Sequence, residues 1–412
     1  MRTITLLIVY YMTCCVAMGQ QVHNLKNGIW RAEIQRNDGN HIVFNFESKD
    51  SAGKKVLYIR NATERLLVDD IKYMGDSVVI RLPFFESQLR AAITGDGNLR
   101  GVWLKRGADS YQVLPFEAYY NNAQRFASGQ GGTKSVAGRW RAVFRGRGDD
   151  DSSVRVGEFV QLGHRVTGTF LDPTGDFRYL EGVMDGDSLR LSTFDGGHAF
   201  YFTARLEGDG RLSGGQYFSG AMGYETWTAV KDEAAALPDE FALTKWNKDA
   251  GPMAFTFKDI EGRSVSLSDK RFKGKVVMIQ IMGSWCPNCM DETRFLSTFY
   301  NEYRSKGVEI IGLAYERTTD FARSQTSLRS FQQRFQVKYP MLITGVAVGD
   351  PDRTQKTLPQ LEKIVGFPTT IFLDKTGKIY RIHTGFSGPG TGAHYEDQKK
   401  EIYQTVDELL KG

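Results

Sequence analysis

Trp285-Cys286-Pro287-Asn288-Cys289 is the stretch that decides the fold and the chemistry predicted for the C-terminal part of this chain. It follows residues 276–282, an almost continuous apolar run that is typical of a strand buried on both faces. Pro287 favours a helix start, because the first helical turn accepts a residue without an N–H group. A sulfur at a helix N-terminus faces unpaired N–H groups and the positive end of the helix dipole, which favours the thiolate. The spacing therefore predicts Cys286 as an exposed nucleophile and Cys289, one turn deeper, as the resolving thiol.

Two other roles for this cysteine pair compete with redox chemistry. A zinc site needs two further ligands, but the chain from residue 20 onward has no other cysteine, and His383 and His394 lack the paired spacing of zinc ligands. A structural disulfide usually closes a longer loop, because closing only two intervening residues constrains the unfolded chain very little. The sequence therefore favours a redox-active disulfide between Cys286 and Cys289, and it indicates no metal and no cofactor.

From about residue 251 the chain changes to strands that alternate with helices, which is typical of an α/β domain. The predicted order is a hairpin, a buried strand, a helix that starts at the cysteine pair, a strand, a helix, a short strand, a second hairpin and a closing helix. The predicted bounds are 255–267, 276–282, 286–307, 308–314, 320–335, 339–343, 369–383 and 395–410.

This C-terminal part resembles the thioredoxin superfamily and, within it, the TlpA/ResA-like extracytoplasmic thiol-disulfide oxidoreductases. The resemblance covers residues 251–412 and rests on the cysteine motif, the opening hairpin, the strand and helix inserted before Pro368, and the stretch 367–374. It implies a thioredoxin-like fold with a cis peptide bond before Pro368, in a loop that faces the cysteines and pairs with the substrate backbone. It also implies a set of side chains that contact the substrate: Trp285, Pro287, Asn288 and Phe367.

Glu292 stands three residues after Cys289, where these reductases have a buried glutamate near the sulfurs. The spacing places it on the helical face of Cys289, and the resemblance implies that its carboxylate accepts the proton of the resolving thiol. The alternative is a first-turn acid that only benefits from the helix dipole. Thioredoxins themselves carry a buried aspartate on the preceding strand, but this chain has Gln280 there, which cannot titrate. Four other titratable residues of the domain are candidates to line the groove but are expected on the solvated surface: Asp291, Glu316, His383 and His394.

The part of the chain before the connector contains an internal repeat. Gly28-Ile29-Trp30-Arg31-Ala32 recurs as Gly138-Arg139-Trp140-Arg141-Ala142. Two turn motifs recur in the same order at nearly the same offset, Gly75-Asp76-Ser77 at residues 186–188 and Gly95-Asp96-Gly97 at residues 208–210. Short runs of β-branched and aromatic residues between such turns are typical of antiparallel strands. The sequence therefore predicts two duplicated antiparallel β domains, each barrel-like or sandwich-like.

The predicted organisation has six segments. A signal peptide (1–19) and a first β repeat (20–126) are followed by a flexible linker (127–137) and a second β repeat (138–231). A connector (232–250), which is predicted to be helical over 232–238, then leads to the thioredoxin-like domain (251–412).

The N-terminus predicts export. Arg2 precedes an apolar stretch over residues 4–16, and Ala17-Met18-Gly19 offers the small residues that a signal peptidase needs. The alternatives are a buried N-terminal helix and a lipoprotein anchored through Cys14 or Cys15, although residues 11–13 lack the small residue usual before a lipidated cysteine. We therefore expect a periplasmic or otherwise extracytoplasmic protein whose mature chain has no transmembrane segment. A net charge of +5 without a long basic run argues against a nucleic acid partner.

Together these features predict a thiol-disulfide oxidoreductase. The resemblance implies a reductase of protein disulfides that receives electrons from a membrane donor, with apocytochrome c as a family-level candidate client. One alternative is a thiol peroxidase, which usually needs Thr or Ser three residues before the nucleophile, whereas position 283 is Gly. The other is a ligand-binding or protein-binding protein with an auxiliary redox domain. Because residues 20–231 contain no cysteine, the β repeats are expected to select or position partners and to carry no electrons.

Overall fold

A computed structural model shows three β sheets, two of them before the connector and a third, flanked by helices, in the C-terminal part. The structure describes residues 24–83, 86–129, 134–148, 152–239 and 241–412. The predicted signal peptide (1–19) and the two cysteines of the lipoprotein alternative lie outside the described residues. Within the described ranges, no helix is both long enough and apolar enough to cross a membrane.

The first sheet is an antiparallel meander of nine strands: β1 (Gly28–Gln35), β2 (His41–Ser51), β3 (Lys54–Asn61), β4 (Glu64–Val68), β5 (Asp70–Met74), β6 (Ser77–Arg81), β7 (Ser87–Ile93), β8 (Leu99–Arg106) and β9 (Tyr111–Tyr120). Trp30, Ala32 and Ile34 of β1 all point into the core, because side chains alternate between the two faces of a strand. β1 pairs with both β2 and β9, and no pairing joins β4 to β5 among the described residues. The sheet therefore curls without closing.

The second sheet repeats this meander: β10 (Gly138–Arg145), β11 (Ser152–Leu162), β12 (Arg165–Asp172), β13 (Gly175–Asp176), β14 (Leu180–Asp185), β15 (Ser188–Phe194), β16 (Ala199–Leu206), β17 (Leu212–Ser219) and β18 (Gly223–Lys231). It is closed, because β11 pairs with β10 on one side and with β12 on the other. The short β13 lies beside β12 at the rim of this barrel.

The two sheets show the predicted duplication. β1 and β10 have the same length and carry the repeated Trp-Arg-Ala sequence, and each pairs with the last strand of its own copy, β9 or β18. The prediction of two antiparallel, barrel-like β domains is confirmed.

The two copies share part of their cores. Phe194, at the end of β15, lies fully buried among the core residues of the first sheet, with its ring centroid 4.1 Å from that of Phe44. Asn61 of β3 fixes the Phe194 backbone, since its side-chain nitrogen donates to the Phe194 carbonyl at 2.8 Å. The β copies are therefore packed against each other through an apolar contact.

The C-terminal part has a seven-stranded sheet with helices on both sides: β19 (Thr256–Asp259), β20 (Ser264–Ser266), β21 (Val276–Met282), α1 (Pro287–Tyr303), β22 (Val308–Ala314), α2 (Phe321–Phe335), β23 (Met341–Ile343), α3 (Arg353–Thr357), β24 (Thr369–Leu373), β25 (Ile379–Thr384) and α4 (Ala393–Lys411). The strand order is β20-β19-β23-β22-β21-β24-β25. β21 lies in the middle, parallel to β22 and antiparallel to β24, and all of its residues are buried. This is the thioredoxin-like architecture that the sequence predicts.

One sequence prediction for this part needs correction, and one helix is missing from the predictions. The sequence predicts a short helix over 232–238, but these residues form no helix, and the connector ends in a short 3-10 helix, Lys248–Ala250. Pro238 interrupts a helix there, and the connector instead bonds to the C-terminal part, with the Asn247 N–H donating to the Gln360 carbonyl at 2.8 Å. The short α3 has no counterpart among the predicted helices, because a single turn gives no clear periodicity.

Candidate active site

Cys286 caps the N-terminus of α1 and forms a disulfide with Cys289. Its sulfur accepts a hydrogen bond from the Cys289 backbone N–H at 3.2 Å, and Pro287 occupies the first turn of the helix. The strand β21 ends at Met282, so the cysteine lies just beyond the carboxyl end of the central strand. The predicted junction of buried strand, cysteine pair and helix is therefore present.

Cys286 is less accessible than the sequence suggests. Only 4% of its surface is exposed, and Cys289 is fully buried. The expectation of an exposed Cys286 is wrong for this disulfide-bonded form, because other parts of the chain pack over the helix N-terminus. The Cys286 sulfur lies 3.6 Å from the carbonyl oxygen of Phe367.

The loop before β24 faces the disulfide. The peptide bond between Phe367 and Pro368 is cis, as the resemblance implies. The Phe367 ring packs edge-on against the rings of Trp285 and Tyr315, with centroids 5.4 and 5.7 Å away. The Trp285 indole N–H donates to the Tyr315 carbonyl at 2.8 Å, which holds the tryptophan beside the cysteines. Pro287 and Asn288 are half-buried at the same edge.

Glu292 is buried below the disulfide, and both of its carboxylate oxygens have partners. Gln280 donates to one oxygen at 2.7 Å, and the Thr370 hydroxyl donates to the other at 2.6 Å. Gln280 on β21 lies opposite Thr370 on β24, so the pairing of these two strands builds the pocket for the acid. The sequence places Glu292 near the cysteines but does not identify Thr370, whose role depends on the pairing of strands that are far apart along the chain.

Burial raises the pKa of Glu292 to about 7, against an ordinary value of 4.5, and the bonds from Thr370 and Gln280 offset only part of this effect. A carboxyl group whose pKa lies near neutrality gains and loses a proton readily under physiological conditions. A residue that only balanced a helix dipole would stay solvated and keep an ordinary pKa. This burial favours a proton-transfer role for Glu292.

The four titratable residues expected on the surface are buried or paired. Asp291, Glu316 and His383 are each at most 6% exposed. Glu316 accepts hydrogen bonds from the backbone N–H and hydroxyl of Ser284 at 2.9 and 2.7 Å, and burial raises its pKa. His394 pairs with Glu158 of the second sheet at 3.0 Å. The surface prediction is therefore wrong for Asp291, Glu316 and His383, whereas the side chain of His394 keeps 35% of its surface exposed.

Arg178 joins the three parts of the chain next to the cysteines, and no sequence pattern indicates it. Its guanidinium donates to Asp291 on α1 and to Glu64 in the first sheet, both at 2.6 Å. Arg178 itself belongs to the second sheet region and is 8% exposed. The neighbouring carboxylates raise its pKa well above the ordinary value despite its burial. Such a contact between distant segments produces no local pattern in the sequence.

Comparisons with known proteins place the C-terminal part in a family. The family model described as Redoxin matches residues 247–398. Thiol-disulfide oxidoreductase ResA from Bacillus thuringiensis subsp. konkukian is 30% identical over 148 residues, which cover 36% of this chain and 74% of that protein. Through its C-terminal domain, this chain belongs to the ResA family of thiol-disulfide oxidoreductases.

Other matches cover a similar share of this chain. ResA from Geobacillus kaustophilus is 29% identical over 165 residues, 40% of this chain and 80% of that protein. The crystal structure of StoA from Bacillus subtilis aligns with a TM-score of 0.27 and 21% identity, covering 37% of this chain and 98% of that one. Membership in the ResA family makes this chain an enzyme, a thiol-disulfide oxidoreductase. These matches leave more than half of the chain uncovered, so the β sheets draw no support from them.

Proposed function

We propose that this protein is an extracytoplasmic reductase of protein disulfides, with Cys286 as the nucleophile and Cys289 as the resolving thiol. The observation that carries the proposal is the position of the Cys286 sulfur at the N-terminus of α1, where it accepts the Cys289 N–H. The same N–H stabilises a Cys286 thiolate after reduction. Cys289 lies inside the helix with no exposed surface, so a client disulfide reaches Cys286 first.

The reaction requires two exchanges. The Cys286 thiolate attacks one sulfur of the client disulfide, the client S–S bond breaks, and the departing client thiolate takes up a proton. Cys289 then loses its proton and attacks the Cys286 sulfur, which breaks the mixed disulfide and releases the second client thiol. The client gains two electrons, and the enzyme is left with the Cys286–Cys289 disulfide. An external dithiol, which we place in a membrane electron donor, returns the electrons.

Glu292 is the proposed acceptor of the Cys289 proton. It stands one turn along α1 from Cys289, and its raised pKa makes its carboxylate a competent base near neutral pH. Pro368 and Phe367 present the backbone of their loop to the client, and Trp285, Pro287 and Asn288 form the adjoining edge of the site. These roles follow from the geometry together with the family resemblance.

Location and partners belong to the same proposal. The leader-like residues 1–19 support export to the periplasm or another extracytoplasmic compartment. The proposed clients are protein disulfides, with apocytochrome c as one candidate. The thiol peroxidase alternative gains no support. The Thr or Ser that a peroxidase usually has at position 283 would overlap the indole of Trp285.

Trapping of mixed disulfides with clients distinguishes the roles of Cys286 and Cys289. Cys286→Ser is expected to abolish reduction of insulin disulfides, since the attacking thiolate is missing. Cys289→Ser is expected to attack clients but not release them, so mixed disulfides accumulate and appear on non-reducing gels. If Cys286→Ser is the variant that traps clients, the assignment of nucleophile and resolving thiol is reversed.

A further inference from the structure

A segment of the second sheet lies directly on the redox site. Residues 172–178, which we term the cover segment, connect β12 to β14 and include β13. Thr174 packs against Gly385, where a Cβ atom would come within 2.9 Å of the Thr174 carbonyl carbon. A Cβ atom at Gly366 would overlap the Thr174 methyl group, and one at Gly175 would overlap the side-chain amide of Asn288. At these glycines the cover segment therefore lies closer to the redox domain than any other residue would allow.

The contacts lie on both sides of the cysteine pair. Asn288 stands between Cys286 and Cys289, and Gly366 directly precedes the Phe367-Pro368 loop. These are the two elements that the family resemblance assigns to client binding. In this structure the chain itself occupies them, and Cys286 is 4% exposed.

Buried polar contacts hold the cover segment in place. Asp176 accepts the Gly388 backbone N–H at 2.6 Å, and Arg178 reaches Asp291 of α1 at 2.6 Å. Asp176, Arg178 and Asp291 are each at most 9% exposed. Lifting the cover segment would separate Arg178 from Asp291 and Asp176 from the Gly388 N–H, so these contacts oppose its opening.

The first sheet also contacts the redox domain beside Trp285 and leaves a narrow cleft there. A cleft of about 180 Å³ lies between the first sheet and Trp285, with Leu82, Glu86, Arg106, Arg317 and Arg323 among its lining residues. Its two walls are tied together by Arg323 and Glu86, whose charged groups are 2.7 Å apart. This volume accommodates a side chain or a short extended segment and is far too small for the surface of a folded protein.

We propose that Thr174 and Gly175 are specificity-determining residues that keep folded protein disulfides away from Cys286 and admit small or extended disulfides. This inference rests on the proposed function, because it takes Cys286 as the nucleophile. While the cover segment is closed, a large client reacts only through the fraction of molecules in which the segment has lifted. A small disulfide does not need that movement.

The test compares a variant that displaces the cover segment with a matched control. Gly175→Val places a side chain against Asn288 at a backbone φ of +149° and should push the segment away. Gly163→Val, in the β11–β12 turn of the same sheet, also has a positive φ (+59°) but meets no described atom within 4 Å. Rate constants are measured for native insulin and for the small disulfide 5,5′-dithiobis(2-nitrobenzoate).

For Gly175→Val, we expect the ratio of the insulin rate to the small-disulfide rate to rise by about tenfold. This rise corresponds to a wild-type protein in which about a tenth of the molecules are open. Gly163→Val should leave the ratio unchanged. An unchanged or lower ratio for Gly175→Val overturns the inference. The proposed function is tested separately, because it predicts that the wild-type protein turns over the small disulfide and that Cys286→Ser does not.

A second measurement uses the wild-type protein and does not depend on the folding of a variant. The reduced protein is alkylated with iodoacetamide and with a bulky polyethylene-glycol maleimide, and each rate is divided by that of a cysteine peptide. The inference predicts that the large reagent is slowed by about tenfold more than the small one. Equal slowing of the two reagents contradicts it.

Discussion

At the scale of single residues, Glu292 shows how burial turns an ordinary acid into a candidate proton acceptor. Its position three residues after Cys289 is readable from the sequence, since helical spacing is local. Its environment is not, because Gln280 and Thr370 come from two strands that only the folded sheet brings together. The sequence therefore predicts the position of Glu292 but not the cause of its raised pKa.

The raised pKa predicts how stability depends on pH. A folded-state pKa of about 7 against an ordinary 4.5 means that the folded protein holds this proton more tightly than the unfolded chain. The stabilising effect is fully present below pH 4.5 and is lost as pH rises through 7. Glu292→Gln should therefore gain stability relative to wild type between about pH 5 and pH 8, by about 3 kcal/mol.

Urea unfolding at several pH values measures this difference. Glu302→Gln is the control, because Glu302 lies exposed on the same helix. A stability difference between wild type and Glu292→Gln that stays constant with pH would show that Glu292 titrates normally. The same variant should also flatten the pH dependence of insulin reduction and slow it several-fold near neutral pH, since the proton acceptor is lost.

At the scale of elements, the predicted strands and helices of the C-terminal part largely agree with the structure. β21 and β22 have the predicted bounds, and α2 begins one residue after the predicted start. Apolar runs and helix caps depend on residues that are close together along the chain, so the sequence alone locates these elements. The connector is mispredicted because its structure depends on bonds to residues such as Gln360, which is far away along the chain.

The contact of Phe194 with the first sheet is a second feature that no sequence pattern predicts. Its side chain is fully buried in the core of the other β copy. Phe194→Ala should lower the free energy of unfolding of the β sheets by about 3–5 kcal/mol, because it leaves a cavity between them. Tyr111→Ala, which removes an aromatic ring that is 48% exposed, is the control and should change little. Urea unfolding followed by circular dichroism measures the free energy of unfolding of both variants. A decrease below about 1 kcal/mol for Phe194→Ala would contradict the shared core.

At the scale of the whole molecule, the sequence predicts the parts but not how they pack together. The repeat correctly indicates two β domains, and the cysteine motif indicates the redox domain. Side chains from all three meet at Arg178, where Glu64 and Asp291 bind the same guanidinium. The β sheets carry no cysteine, yet Thr174 and Gly175 of the second sheet pack against Gly366 and Asn288 beside the cysteine pair. The sequence does not predict this contact with the redox site, and the expectation that the β sheets select or position partners stays a prediction.

The reduction potential of the Cys286–Cys289 pair tests the central claim of a reductase most directly. A buried carboxylate next to the pair opposes thiolate formation, whereas strong oxidants are proteins whose reduced form is stabilised. Equilibration with a glutathione or dithiothreitol redox buffer should therefore give a value near that of thioredoxin, about −270 mV. A value near that of the oxidant DsbA, about −120 mV, would contradict the assignment as a reductase.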